Sequence, residues 1–166
     1  HSSLRKFIMP PGTGPRHFDF HPEGGKYLYV LGELSGEVIL FDYNAGELTQ
    51  KQVVAADTLG AHGSADIHVS PDGRFLYASN RLQADGLAIF SIDPGNGTLT
   101  KVGYQLTVKH PRNFVITPDG NFLLVAGRDD DRIQVFAIDK ATGLLTDTNQ
   151  SIAISKPVCL KFAGRE

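Results

Sequence analysis

The sequence is short of several things, and each shortage removes a class of protein. It holds one cysteine, Cys159, so no disulfide can form within the chain and no cysteine-rich zinc site can be built. A lone thiol suits a reducing compartment, and the expected location is the cytoplasm. No apolar run nears the roughly 18 residues that a membrane-spanning helix requires. Neither sign of charge dominates: 16 Lys and Arg stand against 18 Asp and Glu, for a net charge of −2. The basic face that nucleic acid or an anionic membrane demands is therefore missing, and small molecules, small anions among them, are the partners left. No signal or transit peptide is visible, and the chain opens His1-Ser2-Ser3 without a methionine. Also absent are a nucleophile elbow, a glycine-rich phosphate loop, a dinucleotide fingerprint and a zinc motif, so neither a cofactor nor a metal is expected. No segment carries the apolar spacing of an amphipathic helix.

What the sequence does have is turns, built from 18 glycines and 9 prolines, and they recur. Pro22-Glu23-Gly24, Pro71-Asp72-Gly73 and Pro118-Asp119-Gly120 are separated by 49 and 47 residues. Each sits between two short apolar runs: Phe18–Phe20 and Tyr27–Val30, Ile67–Val69 and Phe75–Ala78, Phe114–Ile116 and Phe122–Val125. Proline presets the backbone at the start of the turn and glycine accepts positive φ, so each unit predicts a β-hairpin. A third strand is predicted at Glu37–Phe41, Gly86–Ile92 and Arg132–Ile138. Asp42, Asp93 and Asp139 then stand four residues before Gly46, Gly97 and Gly143, where a carboxylate can cap the turn by accepting backbone N–H bonds. A fourth strand follows. Four short antiparallel strands repeating every 46 to 51 residues spell an all-β fold, a β-propeller.

Residues 1–166 thus form one partial propeller, with blades over about 14–62, 63–109 and 110–155. Residues 156–166 begin a closing blade, and residues 4–10 form the outer strand of a preceding one. Propellers close with roughly four to eight blades. Completion by an N-terminal half, by another chain or by self-association is therefore expected.

Aligning the repeats on their turns isolates the polar exceptions. Arg16, Ala65 and Arg112 share one position, His17, Asp66 and Asn113 the next, and Asp19, His68 and Val115 lie two further on. At the end of the second strand Glu33, Arg81 and Arg128 coincide. In an antiparallel hairpin the start of one strand lies beside the end of its partner, so these residues gather at one end of the blades, the mouth of a central funnel. Guanidinium forks suit phosphate or carboxylate, and a histidine exchanges protons near neutral pH. A second reading is open, in which the charges satisfy one another. His68 either lines the channel or serves a neighbouring blade, while His62 and His110 lie in loops near the mouth. Phe18 and Phe20 are expected in the core, Cys159 in the run Val158-Cys159-Leu160 as a core filler, and Asp129-Asp130-Asp131 as a solvated turn.

Three stretches carry a likeness: Gly14-Pro15-Arg16-His17 leading into Phe20-His21-Pro22, Ser64-Ala65-Asp66-Ile67-His68 leading into Ser70-Pro71-Asp72-Gly73, and His110-Pro111-Arg112-Asn113-Phe114. With Glu33-Leu34 ending a second strand, they make the chain resemble the C-terminal half of the lactonase family of seven-bladed propellers. The resemblance implies hydrolysis of 6-phospho-D-glucono-1,5-lactone to 6-phosphogluconate, in the pentose phosphate pathway and without a cofactor. It implies His17, Glu33, His68 and Arg16 as catalytic residues, with Arg81, Arg112, Asp66 and Asn113 binding the anionic sugar-phosphate lactone. Arg16, Arg81 and Arg112 would hold phosphate and oxyanion, His17 or His68 would take a proton from water, and Glu33 would orient the histidine or act as base. The alternatives are cyclisation of a carboxymuconate on the same scaffold, and a non-catalytic docking propeller.

Overall fold

A computed structural model describes residues 6–163. Twelve strands follow in order: β1 Pro15–Phe20, β2 Tyr27–Gly32, β3 Glu37–Asn44, β4 Glu47–Ala55, β5 Ser64–Val69, β6 Phe75–Asn80, β7 Gly86–Ile92, β8 Leu99–Leu106, β9 Pro111–Ile116, β10 Phe122–Gly127, β11 Arg132–Ile138 and β12 Leu145–Ala153. They form three antiparallel four-stranded sheets, β1-β2-β3-β4, β5-β6-β7-β8 and β9-β10-β11-β12. Each sheet is one blade. The innermost strands β1, β5 and β9 are neighbours in space.

Stacking decides which side chains are buried. The middle blade is covered on both faces, and all six residues of β6 are buried. Leu76 and Ala78 face the first blade among Tyr29, Leu31 and Leu40. Phe75 and Tyr77 face the third among Phe114, Leu123 and Phe136. A strand enclosed on both sides reads as a continuous apolar run, as β6 does. Recurring polar ties register blade on blade. The Tyr29 hydroxyl donates to the Gly97 carbonyl at 2.9 Å, and Tyr77 donates to the equivalent Gly143 carbonyl at 2.8 Å. Tyr27 and Phe75 lie so close over these same glycines that an added Cβ would press into their rings, at 2.6 Å for Gly97 on Tyr27 and closer still for Gly143 on Phe75. Nearer the axis, Asp19 accepts a bond from the Val69 amide, Asp66 from Phe114 and Asn113 from Leu160. Side chains thereby replace the backbone pairing that strands splayed about an axis cannot make with each other.

Several expectations change. Phe18 and Phe20 are 62% and 37% exposed, because Asp19, which faces the second blade, puts its aromatic neighbours on the opposite face. Cys159 is exposed, since residues 156–163 form no strand and no further sheet among the described residues covers them. Residues 6–10 are also non-strand, with Phe7 packed edge-on against Phe41 at 4.7 Å; residues 4, 5 and 164–166 lie outside the described residues. Asp93 and Asp139 cap their turns, accepting from Gly95 and Asn96 and from Ala141 and Thr142. Asp42 does not. In the first blade β3 runs on to Asn44, and the turn is the two-residue Ala45-Gly46 with φ of 48° and 88°. Asp42 therefore stays in the strand beside Lys51, at 3.3 Å.

Gly46 and Gly143 separate conformational from packing cost. Both have positive φ, 88° and 75°, but a Cβ at Gly46 meets nothing within 4 Å. Each alanine replacement should cost about 1–2 kcal/mol for the left-handed backbone. Gly143→Ala should lose about 1–3 kcal/mol more from overpacking against Phe75. Urea midpoints measure the difference, and equal losses would refute the aromatic-on-glycine lock.

Candidate active site

The mouth is built by one backbone irregularity made three times. β1 pairs His17 with Leu31 but Pro15 with Gly32, leaving Arg16 as an extra residue. β9 pairs Asn113 with Ala126 but Pro111 with Gly127, leaving Arg112 extra. β5 shifts in the same way between Ser64 and Ile67, around Ala65 and Asp66. A bulge breaks the two-residue alternation and re-aims a side chain. Consecutive residues Arg16 and His17 consequently both reach the second blade: Arg16 Nε donates to the Ala65 carbonyl at 2.8 Å, and His17 Nδ1 donates to Asp66 Oδ1 at 2.6 Å.

Asp66 is the hub, with a side chain only 3% exposed. Besides His17, its oxygens accept from His68 Nε2 at 3.2 Å, Asn113 Nδ2 at 2.5 Å and the amides of Ile67 and Phe114 at 3.0 and 3.1 Å. Burial opposes its ionisation, but the bonds and charge from His68 and His17 and the Phe114 amide prevail and hold the carboxyl at about 2. A carboxylate only accepts, so Nδ1 of His17 carries a proton and Nε2 is left as the lone-pair nitrogen of the neutral ring. His17 is 44% exposed at the mouth. His68 is more enclosed, with Asp19 3.8 Å from its Nδ1 and the Phe114 ring edge-on at 4.9 Å. Burial lowers its proton affinity, but Asp66 and then Asp19 reverse this and raise it above the ordinary imidazole value.

The arginines surround Glu33. Arg16 Nη1 donates to one oxygen at 3.1 Å and Arg81 Nη2 to the other at 2.5 Å. Against the effect of burial, these two guanidiniums keep Glu33 below the usual carboxylate range. Arg81 is itself less basic than a free guanidinium, through burial first and then the charges of Arg16 and Arg112, with Glu33 opposing. Arg112 is partly buried and has no hydrogen-bond or ion-pair partner among the described residues.

The structure thus joins the expected residues into two groups, His17–Asp66–His68–Asn113 and Arg16–Glu33–Arg81, with Arg112 beside the second. Glu33 bonds the arginines and neither histidine among the described residues. Arg128 turns outward onto Asp129 at 2.7 Å, and Asp130 and Asp131 cap the amides of Lys109 and Lys156. Among the described residues no cluster of His, Cys, Asp and Glu is suited to a metal. His110 was not among the expected site residues, and the signal that could have found it is its place at the entry to the β9 bulge.

The family model for seven-bladed lactonase propellers matches residues 2–162. The chain belongs to the lactonase propeller family. A curated relative from Formosa agariphila, named 6-phosphogluconolactonase, is 45% identical over 89% of this chain and 42% of its own length. A solved structure from Bacteroides fragilis is 60% identical with a TM-score of 0.94, covering 95% of this chain and 44% of that one. A periplasmic gluconolactonase from Pseudomonas aeruginosa is 36% identical with a TM-score of 0.88, over 95% of this chain and 45% of its own. The chain therefore spans a little under half the length of the relatives it matches. No helix among the described residues is long and apolar enough to cross a membrane.

In this lactonase propeller His68 and Asp66 tie stability to pH in opposite senses. The folded-state affinity of His68 is raised from 6.5, so its contribution is complete below that pH and is lost as the pH rises through the raised value. The Asp66 contribution runs oppositely, present above the ordinary carboxylate range and lost as the pH falls toward about 2. Urea midpoints should fall for the wild type as the pH rises from the acid side of 6.5, and stay flatter for His68→Gln. Parallel curves would refute the charged His68.

Proposed function

We propose that the chain carries the C-terminal part of the active site of a 6-phosphogluconolactonase, hydrolysing 6-phospho-D-glucono-1,5-lactone to 6-phosphogluconate. The observation that carries this is the charge balance at the mouth: Glu33 bonds Arg16 and Arg81, and the charge of Arg112 acts on Arg81 with no hydrogen-bond or ion-pair partner of its own among the described residues. The uncompensated guanidinium suits a phosphate. The naming of the Formosa relative supports the substrate.

His17 is the base. Its Nδ1 is anchored on Asp66, and Nε2 accepts a proton from water as the water oxygen bonds to the lactone carbonyl carbon. Negative charge gathers on the carbonyl oxygen, where Arg16 and Arg81 stabilise it from positions fixed in advance by Glu33. Collapse breaks the ring C–O bond, and the departing oxygen takes the proton back from His17. The product is an open-chain acid. Asp66 keeps the imidazole in one tautomer, Glu33 clamps the arginines, and His68 with Asn113 holds Asp66. A cytoplasmic location belongs to the same reading, in contrast to the Pseudomonas relative, which is named as periplasmic. So does completion of the ring by further blades, whether from an N-terminal half or another chain. Gly46 lies open where Gly97 and Gly143 are covered, and Phe122, at the position of Tyr27 and Phe75, is exposed.

His17→Ala should lower kcat for the lactone about a hundredfold to ten-thousandfold. Arg112→Ala should raise KM by about ten- to a hundredfold and leave the melting temperature nearly unchanged. Steady-state assays on the protein, run in parallel with a carboxymuconate, check both. Unchanged lactone kinetics in either variant, or faster turnover of the muconate, would overturn the reading.

A further inference from the structure

Arg81 is held on three sides. Its Nε donates to the Gly63 carbonyl at 2.9 Å, its Nη2 to Glu33, and its Nη1 faces His110 Nε2 at 3.3 Å. A guanidinium has no lone pair to offer and keeps its protons in proteins, so on the third side His110 must be the acceptor. Nε2 then bears no proton, and the ring proton sits on Nδ1, which faces Asp129 Oδ2 at 3.5 Å. His110 is itself fixed. Its side chain is 11% exposed, its backbone is left-handed with φ of 58°, and its carbonyl accepts from the Arg128 amide at 3.3 Å.

We propose that His110 is a positioning residue, whose Nε2 lone pair helps fix the plane of the Arg81 guanidinium so that the N–H groups left free by Gly63, Glu33 and His110 face the anion at the mouth. The proposal rests on the reading of the mouth as a lactone-phosphate site. It gives a role to a histidine that touches neither the His17–Asp66 pair nor Glu33 among the described residues. Without His110 the guanidinium is held at Nε by Gly63 and at Nη2 by Glu33 alone, and Nη1 loses the acceptor that fixes its N–H directions.

Four charged groups act on His110. Arg81 lies after β6, Asp85 precedes β7, and Arg128 and Asp129 lie on the 3-10 turn at Arg128–Asp130. Burial first, then Arg128 and Arg81, lower the proton affinity of the ring, while Asp129 and Asp85 oppose them. His110 therefore takes a proton less readily than an ordinary imidazole. Once it does charge, an imidazolium confronts Arg81 and the lock is released.

The test uses 6-phosphogluconate as the probe, with its dissociation constant measured by calorimetry on the protein. His110→Leu removes the acceptor and should weaken binding about tenfold, whereas His110→Gln keeps an acceptor at similar reach and should stay within about twofold of wild type. On an Arg81→Gln background, His110→Leu should add nothing, because the two residues act as a unit. Equal tenfold losses on both backgrounds, or equal losses in His110→Gln and His110→Leu, would overturn the proposal. Long-range proton–nitrogen spectra decide it independently of the probe. A bare Nε2 with a protonated Nδ1 near pH 7 supports the lock, and a protonated Nε2 ends it. Failure of the wild type to bind 6-phosphogluconate would instead overturn the lactone-phosphate reading, with the spectra still deciding whether His110 holds Arg81.

Discussion

One buried carboxylate ties the three sheets together at the axis. Asp66 accepts from His17 on the first blade, from His68 and Ile67 on its own, and from Asn113 and Phe114 on the third. Burying a carboxylate costs several kcal/mol unless the desolvation is met by donors aimed at it. Here five donors from three blades meet at two oxygens. Removing the carboxylate would leave those donors unpaired at the place where the blades converge. The same group that closes the inner strands on one another also fixes the tautomer of His17, so packing and chemistry share an anchor.

The bulges explain why this anchor has neighbours to work with. A regular strand sends successive side chains to opposite faces, and a regular β1 would place Arg16 and His17 back to back. The extra residue at the head of each inner strand turns both toward the second blade. The same step in β9 leaves Arg112 without a hydrogen-bond or ion-pair partner among the described residues while Asn113 reaches Asp66. Irregular backbone at the rim of a sheet is thus the source of the clustered side chains.

Charge at the mouth is arranged in tiers. Glu33 neutralises part of the field of Arg16 and Arg81 and holds both in place, and His110 supports Arg81 from behind. Arg112 is left as the uncompensated group. Arg16, Arg81 and Arg128 are paired with carboxylates, as the second reading of the sequence has it, and Arg112 has no such partner among the described residues.

Much of the fold was legible because turns repeat in sequence as they repeat in space. Proline and glycine at fixed spacing mark each hairpin, and the apolar runs between them mark strands, so four strands per blade could be read without a structure. The gathering of Arg16, His17, Asp66, Arg81 and Arg112 at one end was legible too, since antiparallel pairing alone brings strand starts beside strand ends. What alternation could not reveal was the bulge, which reverses facing by one residue, or which blade faces lie open, which exposes Phe18 and Cys159. Asp42 shows a similar limit: it has the spacing of Asp93 and Asp139, but a longer β3 moves the turn away from it. The sequence by itself determined the blades and the end at which the charges collect, because hairpin chemistry and strand pairing are local. Only the tertiary structure decided that Asp66 is the hub, that Glu33 bridges two arginines and that His110 backs Arg81, because those contacts join residues from different blades and depend on how twisted sheets stack about an axis.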